Sequence, residues 1–202
     1  MRKIFFDLDG TLIDASDRLY RLFCDLIPEC NFSKEEYWNL KRQRINHKMI
    51  IEQYFPEYSF EEFDKQWMSL IETDRYLNLD KIYDGIYVIL DKLQKTNELY
   101  LLTARQSKEK LTEELKKFKL QKYFKKILLT ENKKTKADLL QETELNENDI
   151  FLTDMVKDIQ ISNDLGLKSI AVTWGFMDKN NLFAYNPEYI YDKIEELDTL
   201  ND

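Results

Sequence analysis

The sequence is short of the residues that cross-link or ligate metals in small proteins. Among 202 residues there are two cysteines, Cys24 and Cys30, and one histidine, His47. The cysteines lack metal-ligand spacing, and a single histidine leaves little scope for a zinc site. A disulfide between Cys24 and Cys30 is one alternative, but we favour two reduced thiols, as expected in a cytoplasmic protein.

Long apolar runs and an excess of basic charge are also missing. Asp7 and Asp9 interrupt the N-terminal apolar stretch, so no signal peptide is predicted, and no run approaches the ~20 residues that span a bilayer. The net charge of −8 argues against binding to a nucleic-acid backbone, which needs clustered Lys and Arg. We expect a soluble cytoplasmic protein without nucleic-acid or membrane partners, as a monomer or a homodimer.

Five apolar segments predict β-strands, and helical patterns lie between the later ones. The strand segments are KIFFDL (3–8), ELYLLTA (98–104), KKILLT (125–130), DIFLTD (149–154) and KSIAVTW (168–174). Helices are predicted after Gly85, through Leu111, Leu115 and Phe118, from Thr135, and from Val156 to Gly166. This alternation predicts an α/β fold, with a Rossmann-like parallel sheet flanked by helices.

The stretch between the first strand and residue 81 breaks this alternation. It contains apolar residues at helical spacing and two capping-box patterns, Ser33–Glu36 and Ser59–Glu62. Pro28 and Pro56 fall where two of its helices would end. We therefore predict an α/β core made of residues 1–14 and 82–202, with an all-helical insertion at residues 15–81.

Charged and hydroxyl side chains follow the predicted strands of the core. Asp7 and Asp9 end the first strand and Thr103 ends the second. Asp154 ends the fourth, with Asp158 one helical turn later. In parallel sheets the ligand site lies beyond the carboxyl ends of the strands, so these groups should converge. Four carboxylates repel one another unless a cation offsets them, and Mg²⁺ prefers oxygen ligands and keeps positions open for water and phosphate. The pattern predicts a magnesium and phosphate site.

The motifs at these strand ends resemble those of the haloacid-dehalogenase-like (HAD) phosphohydrolase superfamily. The four matching motifs, in order, are DLDGT (7–11), LLTAR (101–105), KADLL (136–140) and TDMVKD (153–158). Two further segments look like the phosphoglycolate-phosphatase-like branch, namely YDGIYVILDKL (83–93) and GLKSIAVTWGF (166–176). That branch carries a helical cap after its first motif, so the resemblance implies that residues 15–81 form a small all-α cap domain.

The resemblance also implies a role for each acidic residue. Asp7 would be the nucleophile that forms an aspartyl-phosphate. Asp9 would protonate the leaving group and then deprotonate water, while its backbone carbonyl binds the metal. Asp154 would bind Mg²⁺ together with Asp7, and Asp158 would support the metal directly or through water. The family usually has glycine before the fourth-motif aspartate, where this chain has Thr153.

The phosphate-binding groups implied by the resemblance are Thr103, the backbone N–H groups near Ala104, and Lys136. Lys133 and Lys134 lie close to Lys136, so the sequence leaves open which lysine has this role. Arg105 could reach substrate, or form an ion pair that faces solvent.

The resemblance implies a magnesium-dependent phosphatase that cleaves a small phosphorylated metabolite. An aspartate at position 9 favours phosphate-ester chemistry, because haloacid dehalogenases and phosphonatases of the superfamily usually lack it. Two alternatives remain: a phosphosugar mutase of the same fold, and a non-catalytic binding module that retains the scaffold.

Overall fold

The computed structural model describes residues 1–201, and the side chains of residues 1–200. This part of the chain divides into two compact units. The first contains Met1–Asp14 and the chain from Ile82 onward, and the second is Ala15–Lys81.

Strands and helices alternate along most of the first unit. The strands are β1 (Arg2–Phe6), β2 (Ile13–Asp14), β3 (Lys81–Ile82), β4 (Asn97–Thr103), β5 (Lys126–Leu129), β6 (Ile150–Thr153), β7 (Lys168–Val172) and β8 (Tyr189–Tyr191). The α-helices are α1 (Ser16–Leu26), α2 (Lys34–Arg42), α3 (His47–Tyr54), α4 (Phe60–Leu70), α5 (Asp74–Leu77), α6 (Ile86–Leu93), α7 (Lys108–Lys117), α8 (Lys136–Gln141), α9 (Val156–Leu165) and α10 (Lys179–Phe183). Short 3₁₀-helices cover Gln121–Tyr123 and Ile194–Asn201.

The central sheet has six parallel strands in the order β5-β4-β1-β6-β7-β8. The α/β prediction is therefore confirmed, and all five predicted segments are strands of this sheet. The sixth strand, β8, was not predicted, and neither were β2 and β3, which form a separate two-stranded sheet. These three elements are only two or three residues long, so they carry too little alternation to be recognised.

Both faces of the central sheet are buried. Ile4 and Phe6 of β1 belong to one apolar cluster and Phe5 belongs to another, because successive strand residues point to opposite faces. A sheet that is covered on both sides explains why its strands are continuous apolar runs rather than alternating ones.

Truncating Phe5 is expected to destabilise the protein strongly. Phe5 is fully buried and its ring centroid lies 5.2 Å from that of Tyr100, so Phe5→Ala should leave a cavity and lower the free energy of unfolding by about 3–5 kcal/mol. Phe183→Ala is the control, because Phe183 is 69% exposed and its loss should change stability by less than about 0.5 kcal/mol. Urea denaturation measures both. Similar values for the two variants would contradict this packing.

The second unit consists of helices α1 to α5. The predicted capping box at Ser33 and Glu36 is confirmed, and the Ser59 side chain accepts a hydrogen bond from the Glu62 N–H. An aromatic cluster forms its centre, in which the ring of Phe23 lies 5.0 Å from Tyr37 and 5.7 Å from Phe63. In the described residues, no helix of either unit is both long enough and apolar enough to cross a membrane.

Candidate active site

Three strands of the sheet bring polar residues to the same edge. The register aligns Phe6 of β1 with Leu101 of β4 and Leu152 of β6, so the carboxyl ends of these strands lie side by side. The Asp7 N–H donates to the Leu152 carbonyl at 2.9 Å, which continues the ladder one residue beyond β1. Asp7, Thr103 and Asp154 therefore leave neighbouring strands at one edge, and all three are buried.

Lys136 lies between two carboxylates at this edge. Its Nζ is 2.8 Å from Asp7 Oδ1 and 2.6 Å from Asp158 Oδ2. Thr135 and Asp138 form a capping box that begins α8 at Lys136, as the sequence predicts. This cap fixes the direction in which the lysine leaves the helix.

The two neighbouring lysines lie elsewhere. Lys133 pairs with Glu131 and Lys134 pairs with Glu142, and both lysines are largely exposed. Lys136 is the one of the three whose ammonium contacts Asp7 and Asp158.

The Thr153 hydroxyl explains how this chain tolerates a threonine where the family usually has glycine. It donates to Asp158 Oδ2 at 2.9 Å and accepts from the Met155 N–H at 3.0 Å. The side chain therefore connects the end of β6 to the first turn of α9. Asp158 is held both by this hydroxyl and by Lys136.

The Asp154 carboxylate occupies a close-fitting cradle. Oδ2 accepts a hydrogen bond from the Phe176 N–H at 2.7 Å, and Oδ1 accepts one from the Thr11 hydroxyl at 3.3 Å. A Cβ at Gly10 would lie 2.1 Å from Asp154 Oδ2, and a Cβ at Gly175 would lie 2.3 Å from it. Gly10 also has φ +82°, which disfavours other residues. Two of the four glycines of the sequence are therefore explained by one carboxylate.

Burial and mutual repulsion act on the acidic groups of the site. Burial raises the pKa of Asp7 to about 7, with contributions from Asp158 and Asp9, while Lys136 opposes the rise. Burial also raises the pKa of Asp154 well above its ordinary value, and the charge of Asp7 adds to this. For Lys136, burial lowers the pKa, but the carboxylates of Asp158 and Asp7 outweigh it and raise the pKa. One ammonium thus faces several buried acids that repel one another.

This donor set fits a hard divalent cation that needs few protein ligands. Among the described residues, no group of three or more His, Cys, Asp and Glu side chains forms a complete metal cage. Mg²⁺ does not need one, because it commonly binds one or two carboxylates and keeps several waters. Asp7 and Asp154 supply two buried carboxylates of raised pKa, and a cation there would favour their ionised forms.

Thr103 and the segment that follows it end β4. The Thr103 side chain is 1% exposed, and its hydroxyl accepts a long hydrogen bond from the Arg105 N–H at 3.4 Å. Ala104 lies between them and is exposed. The chain thus turns at the strand end with Ala104 on the outside.

Arg105 does not form the solvent-facing ion pair that the sequence left open. It is 4% exposed, and its guanidinium binds the Asp9 carboxylate through two nitrogens, Nε to Oδ2 at 2.7 Å and Nη2 to Oδ1 at 2.8 Å. Nη2 also lies 3.0 Å from Oε2 of Glu114. The sequence analysis missed Glu114, although one signal was present. This glutamate is flanked on the apolar stripe of α7 by Leu111 and Leu115, where a solvated charge is not expected.

The chain was compared with known proteins. A family model described as haloacid dehalogenase-like hydrolase matches residues 4–172. Pyrophosphatase PpaX of Bacillus mycoides is 24% identical over 209 residues, which cover 96% of this chain and 94% of the relative.

Solved structures share the fold. A phosphoglycolate phosphatase, predicted as such in Haemophilus somnus, has a TM-score of 0.78 at 17% identity, covering 100% of this chain and 98% of its own. The HAD hydrolase YfnB from Bacillus subtilis, bound to magnesium, has a TM-score of 0.70 at 19% identity with the same coverage. Because the family model matches most of its length, this chain belongs to the haloacid dehalogenase-like hydrolases.

Proposed function

We propose that this hydrolase is a magnesium-dependent phosphatase that cleaves a small phosphomonoester through an aspartyl-phosphate on Asp7. The observation that carries the proposal is the contact of the buried Asp7 carboxylate with Lys136, at the strand edge to which Asp154 also belongs. The family match and the phosphatase and pyrophosphatase names of its relatives support the reaction class.

In the first step Asp7 attacks phosphorus and the bond to the leaving oxygen breaks. Lys136 and the Leu8 N–H, both 2.8 Å from Asp7 Oδ1, orient the nucleophile. Asp9 supplies a proton to the leaving oxygen, so that an alcohol departs. The Thr103 hydroxyl and the N–H groups near Ala104 bind the phosphoryl oxygens, and the Lys136 ammonium offsets the charge that they carry.

In the second step a water molecule attacks phosphorus and the bond to Asp7 breaks. The Asp9 carboxylate accepts the proton from this water, and inorganic phosphate is released. When bound, Mg²⁺ would be held by Asp7, Asp154 and the Asp9 carbonyl, with Asp158 supporting the site, and would offset the charge of the phosphoryl group. We propose that residues 15–81 act as a cap that selects the substrate and excludes water.

Phosphate release from a panel of phosphorylated metabolites tests the proposal. The panel should include inorganic pyrophosphate, because the PpaX relatives are named pyrophosphatases. We expect at least one substrate to release phosphate with Mg²⁺, and we expect EDTA to abolish the release until Mg²⁺ is restored.

Two results would contradict the proposal. A protein that is inactive on the whole panel would favour a binding module that retains the scaffold. Isomerisation of a sugar phosphate without release of phosphate would indicate a mutase, because a mutase retains its phosphoenzyme in water.

A further inference from the structure

A guanidinium fork holds the carboxylate of Asp9. Arg105 contacts both carboxylate oxygens, at 2.7 and 2.8 Å, with nearly parallel bonding partners on one side chain. Such a two-point contact fixes the plane of a carboxylate, whereas a lysine would supply only a point charge. The Asp9 side chain is 22% exposed while that of Arg105 is 4% exposed. The open end of the pair is therefore the Asp9 carboxylate.

A second carboxylate holds the guanidinium from behind. Glu114 Oε2 lies 3.0 Å from Arg105 Nη2, and the Glu114 side chain is only 3% exposed. Glu114 belongs to α7, which begins shortly after Arg105 and is capped by the Ser107 side chain. Because only two residues separate Arg105 from the start of the helix, α7 holds Glu114 and Arg105 in a defined relation.

Stability alone is a weak reason for this buried arrangement. Buried ion pairs lose much of their hydration, and apolar residues of similar size often serve stability as well or better. A glutamate in the apolar stripe between Leu111 and Leu115 is therefore costly unless its charge has a use. The chain of contacts from Glu114 through Arg105 ends at Asp9, beside the proposed nucleophile.

We propose that Arg105 and Glu114 are positioning residues that hold Asp9 for proton transfer to the leaving group. The inference rests on the proposed function. When the bond between phosphorus and the leaving oxygen breaks, its electron pair stays on that oxygen, which takes the proton of Asp9. Arg105 then faces the carboxylate that this transfer creates, and Glu114 keeps the guanidinium in place.

The dependence of rate on the leaving group tests this role. 4-Nitrophenolate leaves readily without a proton, whereas phenolate benefits from one, and the two aryl phosphates are similar in shape. For Glu114→Gln we expect kcat/KM to fall about 10- to 100-fold with phenyl phosphate and by less than about 3-fold with 4-nitrophenyl phosphate, within the range that general acids contribute. The ratio kcat/KM is used because it includes the step in which the leaving group departs.

Glu113→Gln is the matched control. Glu113 precedes Glu114 on α7, has a 55% exposed side chain and pairs with Lys110, so its substitution should leave both substrates unaffected. Arg105→Lys keeps the charge but loses the fork, and we expect it to retain part of the activity towards phenyl phosphate. It also keeps the inference testable if Glu114→Gln does not fold.

A double variant separates positioning from a general structural role. If Glu114 acts through Asp9, adding Glu114→Gln to Asp9→Asn should cause no further loss with phenyl phosphate, because coupled residues are not additive. Additive losses, equal losses for both substrates, or a Glu114→Gln variant that behaves like Glu113→Gln would each overturn the inference while the proposed function stands. A wild-type protein that hydrolyses no phosphate ester would overturn both.

Discussion

Replacing Asp7 with asparagine is expected to lower phosphatase turnover by ~10⁴-fold or more, because removing the nucleophile of a hydrolase removes the covalent route. Asparagine has nearly the same size as aspartate and preserves the hydrogen bond from the Leu8 N–H to a side-chain oxygen. The variant should therefore fold. Steady-state release of phosphate from the best substrate of the panel measures the loss.

The control for this experiment is Asp91→Asn, an equivalent change at an exposed position of α6, and it should retain full activity. A second measurement concerns the intermediate. Acid-quenched wild-type protein should carry phosphate from a labelled substrate, whereas Asp7→Asn should carry none. If Asp7→Asn kept normal turnover, the nucleophile would lie elsewhere and the proposed route would be wrong.

The second large effect is expected for Lys136→Met. Methionine has a similar length but no charge, so the phosphoryl group would lose a cation and Asp7 would lose its 2.8 Å partner. We expect kcat to fall by about 10²–10³-fold, comparable with the loss of a donor that stabilises a developing negative charge. The metal-free protein should also lose about 3–5 kcal/mol of unfolding free energy, since two buried carboxylates would lose their shared ammonium.

Lys133→Met and Lys134→Met are the matched controls for this prediction. These residues have 75% and 47% exposed side chains, and their surface pairs with Glu131 and Glu142 should each contribute less than about 1 kcal/mol. Both variants should therefore retain activity and stability. If one of them lost activity while Lys136→Met remained active, the lysine role would belong to the exposed pair.

Local sequence signals predicted much of the fold. The apolar runs of β1, β4 and β6 are readable because a sheet covered on both sides needs uninterrupted apolar strands. Helix ends were readable because a cap uses residues three positions apart, as at Thr135 and Asp138, or a left-handed glycine, as at Gly166. The strand β8 lacks such signals, because three residues on the far edge of the sheet bury little apolar surface.

The contacts of charged side chains depended on distant parts of the chain. The sequence left Arg105 undecided between substrate and solvent, and the structure buries it between Asp9 and Glu114, which lie 96 positions before it and nine after it. Similarly, three lysines within four residues were equivalent in composition, and the start of α8 relative to α9 brings only Lys136 to Asp158.

The sequence by itself determined the family, the order of strands and helices in the core, and the acidic residues that follow the strands. These properties depend on neighbours within a few positions, whose periodicity and caps are local. Only the tertiary structure decided which lysine meets Asp7, why Gly10 and Gly175 surround Asp154, and how Arg105 holds Asp9. Those outcomes depend on how strand ends and helices pack, because ionic contacts act over a few ångströms in space and do not depend on separation along the chain.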